Sequence, residues 1–387
     1  MLSKVNLHFF LSEVLTETRL FKEAKFTLAE HIFDRVVVFG LWKNPLDTIE
    51  KTDYGLEIVR KKTLIRRYGN SYLLAKLTYL RKAVAALSSL EYLCAAISAS
   101  VKLRPSHVSC HNLNLLPVAW LSAKLINAKL IYVPHELETE RTGLHGVAKH
   151  LNKFIEWMFV RSCKAVVVVC QPIAEWYVNN YEIRNVFVIR NVPNLISISS
   201  TPNEVNLFRS EFNITDEHPI YIYQGVLGRE RGIDSLIGYF SQHKDRHLVL
   251  MGYGDMEPEI RKAKVDFGNI HYKPAVDMQE IVKYTSNADY GLFLVNGPLS
   301  LSYEYCLPNK FFEYLHAGIP VVVSKNMTYL SSIVESSGLG LVLEQGDFSL
   351  LAAIEKINYS DTVKNIVAYR ETCVWEHDAV MYSQVYS

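Results

Sequence analysis

The feature that most constrains the fold of this chain is an alternation of short apolar segments with longer amphipathic ones. The short segments, such as residues 35–40 and 165–170, are rich in valine and other aliphatic residues and are apolar without interruption. Continuously apolar strands separated by helices are typical of parallel sheets covered by helices on both faces. The alternation therefore predicts an α/β protein.

The same pattern predicts where the strands lie. In the first half of the chain they are expected at 5–10, 35–40, 56–59, 107–110, 130–134, 165–170 and 186–190. In the second half they are expected at 220–224, 248–251, 270–272, 291–295, 321–324 and 340–343. Helices are expected between them, notably around 20–31, 72–101, 115–127, 144–161 and 172–180.

Residues 192–219 interrupt the alternation with prolines and serines, which is typical of a linker. The length of 387 residues also exceeds one ordinary core. We therefore predict two doubly wound parallel-sheet domains, residues 1–195 and 196–368, that face each other across a cleft. Ligands bind at the carboxyl ends of the strands in such sheets, so the cleft is the expected site.

Composition narrows the class of protein. The chain is 49% hydrophobic and 21% charged with a net charge of +1, which indicates a globular protein and argues against a nucleic-acid binder. Its six cysteines show no CxxC spacing and are interpreted as reduced thiols in the cytoplasm. No secretory signal or apolar run approaching about 18 residues is present, so we expect no membrane-spanning segment.

The segment 303–324 predicts a short loop, a helix and a buried strand. Pro308 suits the first helical position, and Gly318 supplies the stop signal. Phe311 belongs to an apolar stripe, whereas Asn309 and Glu313 share a polar face. A polar face at a free helix N-terminus suits a phosphate and, one turn further on, a hydroxylated group. An ordinary helix with its polar face in water fits the spacing equally well.

A glycine-rich loop with two arginines follows the strand at 220–224. Its residues Gly225, Arg229 and Arg231 could hold a diphosphate, because glycines let the backbone approach phosphate oxygens and guanidinium groups neutralise them. The loop lacks both GxGxxG and the P-loop signature, so a dinucleotide oxidoreductase is not supported. A second glycine-rich segment, 251–255, is either another close approach or a tight turn.

Two polar clusters follow strands in the first half. His135, Glu136 and Glu138 could bind a metal, perform acid–base chemistry or hold sugar hydroxyls, or they could form a charged loop. No second histidine completes a zinc pair. His111 lies beside Asn112, for which a capping role is at least as good an interpretation.

Residues 60–82 form a basic stretch without acidic residues, interleaved with leucines and tyrosines. Such a mixture suits an anionic membrane surface, and a solvated helix face explains it equally well. RNA binding is a weaker third interpretation.

Taken in order, these segments resemble the retaining glycosyltransferases of family 4, which have the GT-B architecture of two Rossmann-like domains. The resemblance is carried by 132–137, Glu156, 188–193, 223–225, 231–233, 287–289, 307–314 and 317–320. Residues 375–376 resemble the family's terminal helix, which returns to the first domain. The resemblance therefore implies that a C-terminal helix at 369–387 packs on the N-terminal domain.

The resemblance also implies roles for individual residues. The C-terminal domain would bind a nucleotide-sugar and the N-terminal domain an acceptor. Glu313 would hold the ribose, and the donor diphosphate or sugar would meet Gly225, Arg231, Asn309, Lys310 and Phe311. His135 would lie near the reacting centre, with Arg19, Glu136 and His111 on the acceptor side. No cofactor or metal is expected, because basic side chains and helix N-termini stabilise the departing diphosphate.

This chain departs from the family pattern at several positions. The first glutamate of the family's pair falls at Tyr305, and the adjacent Glu304 is the expected catalytic substitute. Val226 replaces a common arginine, for which Arg229 would compensate. A Gly-Gly pair is missing from the first loop, at 12–19.

The expected function is retaining transfer of a sugar from a nucleoside diphosphate to a glycan or lipid-linked acceptor, in surface-polysaccharide synthesis. The setting would be the cytoplasm, peripherally on the inner face of the cell membrane through residues 60–82. Two alternatives remain: a non-catalytic nucleotide-sugar-binding or scaffolding subunit, and a sugar-nucleotide epimerase of the same fold.

Overall fold

A computed structural model of the chain describes residues 3–15, 17–68, 78–194, 205–215, 217–295, 297–344, 351, 353–355 and 357–387. The chain divides into two compact units. The first contains Met1–Arg190 together with Ala379–Ser387, and the second contains Asn191–Asp378. Each unit is an α/β domain with its own sheet, which confirms the predicted fold class. The predicted boundary between residues 195 and 196 lies outside the described residues.

The first unit is built on an eight-stranded sheet of order β3-β4-β2-β1-β5-β6-β7-β8. Its strands are β1 (Val5–Phe9), β2 (Arg35–Leu41), β3 (Ile49–Lys51), β4 (Glu57–Lys61), β5 (His107–Cys110), β6 (Lys129–Tyr132), β7 (Ala165–Val168) and β8 (Val186–Val188). The pairing is parallel except for β3, which runs antiparallel to β4 at the edge. The alternation pattern missed β3 because its three residues are exposed and carry no apolar run.

The helices of the first unit are α1 (Thr18–Ala29), α2 (Leu64–Tyr68), α3 (Thr78–Leu103), α4 (Leu116–Ile126), α5 (Gly146–Val160) and α6 (Gln171–Tyr181). The connections through α3, α4, α5 and α6 all lead toward β8, whereas α1 leads the opposite way, from β1 to β2. Because parallel crossovers are right-handed, α3 to α6 cover one face of the sheet and α1 covers the other.

A buried carboxylate ties α5 and α6 to the sheet. Glu156 of α5 is fully buried and accepts hydrogen bonds from the hydroxyls of Tyr132, Tyr177 and Tyr181 at 2.9, 2.6 and 2.8 Å. Burial raises the pKa of Glu156, and the three hydroxyl donors oppose that shift. The three tyrosine hydroxyls satisfy the oxygens of the buried carboxylate, so its charge is not left unpaired.

The last residues of the chain pack on α1. The short helix α16 (Tyr382–Val385) contains Tyr382, and Tyr386 follows it. Both hydroxyls donate to the carboxylate of Glu23 on α1, which is fully buried. Tyr386 is also hydrogen-bonded to the hydroxyl of Ser109 on β5 at 3.1 Å. The terminal segment therefore belongs to the polar interior of the first unit.

The second unit is built on a six-stranded, fully parallel sheet of order β11-β10-β9-β12-β13-β14. Its strands are β9 (Ile220–Val226), β10 (His247–Tyr253), β11 (Ile270–Pro274), β12 (Tyr290–Phe293), β13 (Val321–Ser324) and β14 (Gly340–Leu343). Its helices are α7 (Leu207–Phe212), α8 (Ile233–Gln242), α9 (Glu257–Asp266), α10 (Ile281–Thr285), α11 (Leu301–Glu304), α12 (Asn309–Ala317), α13 (Thr328–Ser337) and α14 (Tyr359–Arg370). The next helix, α15 (Trp375–Ala379), belongs to this unit except for its last residue, Ala379, which is part of the first unit.

Every predicted strand overlaps an observed strand, and the ends differ by a few residues. Pro308 is the residue before α12 rather than its first helical residue, since its ψ of 146° is extended. Gly318 ends the helix in the left-handed conformation, with a φ of 78°, as predicted. The predicted helix at 72–101 is observed from Thr78 onward, and residues 69–77 lie outside the described part of the chain.

Among the residues that the structure describes, one helix is long and apolar enough to cross a membrane by length and composition, although the sequence contains no run of 18 apolar residues. It is Lys82–Leu103 of α3. Tyr92, in the middle of this segment, is buried and its hydroxyl donates to the carbonyls of Phe10 and Phe39 at 2.7 and 2.8 Å. The helix is therefore held against the sheet of the first unit at its centre.

Candidate functional site

The order of strands in the second unit defines where a ligand is expected. From β9 the chain proceeds to β10 and β11 on one side, and from β12 to β13 and β14 on the other. The direction of winding thus reverses between β9 and β12. In doubly wound sheets ligands bind outside the carboxyl ends of the strands at this reversal. The polar residues around β9, β12 and α12 are therefore the first candidates.

Tyr314 of α12 fills the space where β9 and β12 separate. An added Cβ on Gly291 of β12 would lie 2.5 Å from the Tyr314 ring, so the ring occupies the place of a side chain there. The Tyr314 hydroxyl lies 3.0 Å from the carbonyl of Leu292 and 3.3 Å from that of Ile222, and it accepts from the amide of Gln224 at 3.3 Å. One phenol thus joins both strands to the helix.

Gln224 connects the end of β9 to the polar face of α12. Its side chain is buried, and its amide donates to the carboxylate of Glu313. The Gln224 side-chain oxygen accepts from the hydroxyl of Thr285 on α10 at 2.6 Å. Glu313 itself is only half-buried. The carboxylate predicted to hold the ribose is therefore oriented by a buried amide while part of its side chain remains accessible.

Lys310 lies beside Gly225, near the carboxyl end of β9. Its Nζ lies over the rings of Tyr223 and Phe293, 3.8 and 4.8 Å from their centroids. An added Cβ on Gly225 would lie 3.6 Å from Lys310 Cε and Nζ, and the φ of Gly225 is +109°. Although the whole residue is only half-buried, removal of its ammonium from water lowers the pKa of Lys310 to about 7, and the charge of Arg231 adds to the shift.

Arg231 is the second cation of this cluster. Its guanidinium donates to the hydroxyl of Tyr303 and lies 5.0 Å from the centroid of the Tyr303 ring. Tyr303 belongs to α11, directly before the segment that leads into α12. Arg231 is followed by Gly232, whose φ of 72° turns the chain into α8. The structure thus brings together Gly225, Arg231, Lys310 and Glu313, four residues of the predicted donor set.

Arg229 lies apart from that cluster. It is largely exposed and forms an ion pair with Glu259 of α9, with Asp255 4.0 Å away. The neighbouring Val226, which replaces an arginine of the family pattern, is 46% exposed. The charges closest to Arg229 are therefore carboxylates of its own unit.

The predicted site residues around the start of α12 differ in how exposed they are. Asn309 is exposed, and its side-chain oxygen accepts from the side-chain amide of Asn191 at 3.1 Å. The side chain of Phe311 is buried in the core, and its backbone amide donates to the carbonyl of Pro308 at 3.0 Å. Glu304 ends α11, and its carbonyl accepts from the Thr328 hydroxyl at 3.5 Å. Tyr305 caps the C-terminus of α11 and is half-buried.

The second glycine-rich segment is explained by packing. Gly252 of β10 is paired with Gly225 of β9, and an added Cβ would lie 1.8 Å from the Gly225 carbonyl oxygen. An added Cβ on Gly254 would lie 2.2 Å from the carbonyl oxygen of Leu227. Both distances exclude a side chain. These glycines allow the two loops to lie against each other.

The first unit has its own reversal of winding, between β1 and β5. His111 directly follows β5, and its ring stacks on Phe10 with centroids 4.0 Å apart. His135 lies 5.4 Å from His111 and 5.9 Å from Phe10, centroid to centroid. The structure therefore brings His111 and His135, two predicted site residues, together at the edge where a ligand is expected.

Arg19 of α1 is 3% exposed, and its charge acts on both His111 and His135. Its Nη2 is 3.4 Å from the carbonyl oxygen of Val168 at the end of β7. Burial lowers the pKa of His135 to about 4, and the Arg19 charge contributes, although part of the His135 side chain is exposed. Burial likewise lowers the pKa of His111 well below its usual value. Both rings are therefore neutral near pH 7 and suited to exchange hydrogen bonds.

The segment after His135 borders a small polar pocket within the first unit. Arg141 pairs with Glu136 at 2.9 Å and with Glu138 at 3.1 Å. The pocket has a volume of about 250 Å³, and its polar lining includes Asn114, Glu138, Arg141 and Asn152. Burial raises the pKa of Glu138 to about 7, and the nearby charge of Glu136 also raises it, whereas Arg141 opposes the shift.

One group of residues in the described part of the chain has the composition of a metal site. Candidate ligand atoms of His8, Glu23 and His111 lie within 4.8 Å of one another. Nδ1 of His8 and Nε2 of His111 are already hydrogen-bonded to each other at 2.9 Å. Glu23 accepts from two tyrosines and lies near the Arg19 charge. These groups satisfy one another as a buried polar cluster, so they fit a metal poorly.

Comparison with known families agrees with this architecture. Residues 28–195 match the family described as Glycosyltransferase Family 4. Residues 238–373 match the family described as Glucosyltransferase 3-like, C-terminal domain. No curated protein sequence matches the chain.

Solved structures of similar fold cover nearly the whole chain. Sucrose-phosphate synthase from Thermosynechococcus elongatus has a TM-score of 0.73 at 17% identity and covers 99% of this chain and 98% of its own. HepE from Anabaena, in complex with UDP-glucose, has a TM-score of 0.69 at 13% identity, and the match covers 98% of this chain and 99% of HepE. WaaG, a glycosyltransferase involved in lipopolysaccharide biosynthesis, has a TM-score of 0.63 at 14% identity and covers 99% of both chains.

The fold and the two family matches together define the class: the protein is a glycosyltransferase of the GT-B type. More narrowly, the two family matches, over residues 28–195 and 238–373, support a family-4-like glycosyltransferase, the resemblance that the sequence motifs carried.

Proposed function

We propose that the protein is a retaining hexosyl-type glycosyltransferase that moves a sugar from a nucleoside-diphosphate sugar to a glycan or lipid-linked acceptor. The observation that carries the proposal is the cluster of Arg231, Lys310 and Glu313 at the winding reversal of the second unit. Two cations and one oriented carboxylate are the groups that a diphosphate joined to a ribose requires. The UDP-glucose held by HepE, a protein of similar fold, supports a donor of this class.

Each residue of the cluster has a defined task in this proposal. Glu313, oriented by Gln224, accepts hydrogen bonds from the ribose hydroxyls. Arg231 and Lys310 neutralise the diphosphate, and the backbone amides at the start of α12 donate to its oxygens. The same cations stabilise the negative charge that grows on the leaving diphosphate as the glycosidic bond breaks. This assignment gives the protein's own side chains the role that a metal ion plays in other transferases.

Retention would follow from attack on the same face of the sugar that the diphosphate leaves. A phosphate oxygen of the leaving group takes the proton of the acceptor hydroxyl as the new bond forms. His135, neutral near pH 7, holds a hydroxyl of the transferred sugar. Glu304 is the proposed second carboxylate near the sugar. Asn309 is the proposed donor neighbour at the start of α12, whereas the Phe311 amide already donates to the Pro308 carbonyl.

We place the acceptor at the carboxyl edge of the first unit's sheet. Arg19, His111 and Glu136 lie on that edge, and the polar pocket beside Glu138 offers amide and carboxylate groups for hydroxyl recognition. The participation of WaaG in lipopolysaccharide biosynthesis supports a role in surface-polysaccharide synthesis. The proposed location is the cytoplasm, on the inner face of the cell membrane.

The donor assignment is tested by thermal shift and calorimetry with a panel of UDP-, GDP- and CMP-sugars. We expect one nucleoside diphosphate to raise the unfolding midpoint and to compete with its sugar conjugate. A complete lack of response to every nucleotide would refute the assignment. Transfer is then tested with the bound donor and acceptor extracts, and the anomeric configuration of the product reports retention.

One structural observation keeps a non-catalytic binding subunit as the second candidate. Two charged residues of the family pattern beside the cluster are replaced here by Val226 and Tyr305. Arg229, which was expected to compensate for the missing arginine at Val226, pairs with Glu259. A binding subunit would bind donor with normal affinity but release no free nucleotide in the presence of acceptor. An epimerase of the same fold would convert the donor without acceptor, so analysis of the sugar product separates all three.

A further inference from the structure

The outer face of the first unit exposes apolar side chains on three neighbouring helices. On α5, Val147, Leu151, Phe154 and Met158 are exposed at spacings of three and four residues, with Trp157 beside them. This spacing places them on one side of the helix. The rings of Phe154 and Trp157 stack with centroids 6.0 Å apart. A soluble helix normally turns such a stripe toward the core, yet α5 buries Glu156 and turns the stripe outward.

The stripe continues across α4 and α3. On α4, Leu121 and Leu125 are exposed, and Trp120 packs against Phe159 of α5 with centroids 5.3 Å apart. On α3, Leu87, Leu90 and Val101 are exposed, three and eleven residues apart, and both separations place them on one side of the helix. The three helices follow one another on the same face of the sheet. We call this outer surface of α3, α4 and α5 the apolar face.

The charges on the apolar face have one sign. In these described helices the acidic residues are Glu91, which pairs with Lys61 at 3.0 Å, and Glu156, which is buried. Lys82, Lys102 and Lys124 are exposed and form no ion pair with any residue that the structure describes. Arg161, directly after α5, lies over the ring of Trp157 at 5.0 Å. Cations therefore border an apolar surface that has no exposed, unpaired carboxylate.

We propose that the apolar face docks on an anionic lipid bilayer. Leucine and phenylalanine enter the boundary between headgroups and acyl chains, Trp157 remains at headgroup level, and the lysines meet lipid phosphates. The charge pattern selects this partner over a second copy of the chain, since two such faces would bring like charges together. Tyr92 holds α3 against the sheet, so the helix lies on the bilayer rather than crossing it.

This surface differs from the basic stretch at 60–82. Within that stretch Arg66 pairs with Glu13 at 2.6 Å, and Lys61 pairs with Glu91. The charges of Lys61 and Arg66 are thus neutralised by the protein itself. Lys82, the last residue of the stretch, belongs with Lys102 and Lys124 to the apolar face and is available to a partner. The inference is independent of the proposed donor and reaction.

The test is co-sedimentation of the full-length protein with vesicles of phosphatidylcholine alone or mixed with phosphatidylglycerol. We expect sedimentation with the anionic vesicles that decreases at high salt. The double variant F154S/W157S should lower the partition coefficient about tenfold or more, because it removes two interfacial aromatic side chains. The variant K102E/K124E should weaken binding to anionic vesicles only.

The matched control is V265S/M278S, which removes two exposed apolar side chains of the second unit. It should sediment as the unchanged protein does, and all variants should keep the unfolding midpoint because the altered side chains are exposed. Equal sedimentation of F154S/W157S and the unchanged protein would overturn the proposal. So would a dimer in solution that F154S/W157S converts to a monomer. Nucleotide binding, measured on the same variants, should not change and reports separately on the donor site.

Discussion

The side-chain amide of Gln224 donates a hydrogen bond to the carboxylate of Glu313, and so connects the end of β9 to the second turn of α12. The two residues are 89 positions apart in the chain. Because Gln224 is buried and also accepts from Thr285, it cannot turn away from Glu313 without losing a buried hydrogen bond. Glu313 is therefore held in one orientation before any ligand arrives.

Replacement of Glu313 by alanine should weaken nucleoside-diphosphate binding about tenfold or more, since a hydrogen bond to a charged group contributes roughly 1.5–3 kcal/mol. Calorimetric titration with the nucleotide identified in the panel measures the loss. The control is Glu259→Ala, which removes the exposed partner of Arg229. It should bind as the unchanged protein does. Unchanged affinity of the Glu313 variant would remove this residue from the site.

Nucleotide affinity should depend on pH through Lys310. The pKa of Lys310 in the free protein is lowered to about 7, and a diphosphate beside it would raise that pKa. Binding then requires uptake of a proton above pH 7, so the affinity should fall between pH 7 and 9, by at most about tenfold per unit. Titration calorimetry in buffers of different ionisation enthalpy measures the proton uptake directly.

The variant Lys310→Met provides the control for this pH dependence. It should bind more weakly at pH 7 and lose the decline between pH 7 and 9. A decline that persists in the variant would assign the titration to another group.

Tyr314→Phe should destabilise the second unit by about 1–3 kcal/mol, because removal of one hydroxyl leaves the Gln224 amide and a strand carbonyl without their partner. Denaturant unfolding followed by circular dichroism measures the change. Tyr253→Phe, an exposed tyrosine of the same unit, is the comparison and should stay within about 0.5 kcal/mol. Equal stabilities of the two variants would show that the hydroxyl does not join the strands.

Glu156→Ala should destabilise the first unit by about 3 kcal/mol or more, because three buried tyrosine hydroxyls lose their acceptor. This unit contains Trp42, Trp120, Trp157 and Trp176, so tryptophan fluorescence follows its unfolding. Glu175→Ala, on the exposed side of α6, should have little effect. A small loss in the Glu156 variant would mean that water replaces the carboxylate.

Acidification should destabilise the first unit through His8. Burial lowers the pKa of His8 to about 3, so below pH 6.5 the unfolded chain binds a proton that the folded protein rejects. At pH 5 this costs about 2 kcal/mol, since each pKa unit corresponds to about 1.36 kcal/mol. Glu23 acts in the opposite sense, because burial raises its pKa to about 7 and the folded protein then favours the protonated form.

A comparison with His8→Gln isolates the histidine contribution. Between pH 7 and 5 the unchanged protein should lose about 2 kcal/mol more stability than the variant, whatever Glu23 contributes to both. Parallel pH profiles would show that His8 is protonated in the folded protein.

Local signals were sufficient for the buried strands, though not for the exposed β3, and for the donor cluster as a set of candidates. Short apolar runs bounded by turn residues, such as Val321–Ser324, indicate buried strands, and the glycines and two arginines that follow Gln224 indicate a loop that can approach a phosphate. The sequence did not indicate that Arg229 would pair with Glu259, since the partner lies on another helix. It also did not reveal Gln224 as the residue that orients Glu313 or Tyr314 as the link between strands.

The sequence by itself determined the alternation of strands and helices, the two-domain organisation and the residue types available at each strand end, because those depend on short-range periodicity and turn chemistry. The tertiary structure decided which polar residues meet. Gln224 and Glu313, or His111 and His135, come together only through the order of strands in each sheet. Their function as a cluster depends on distances and burial, and no local pattern encodes either.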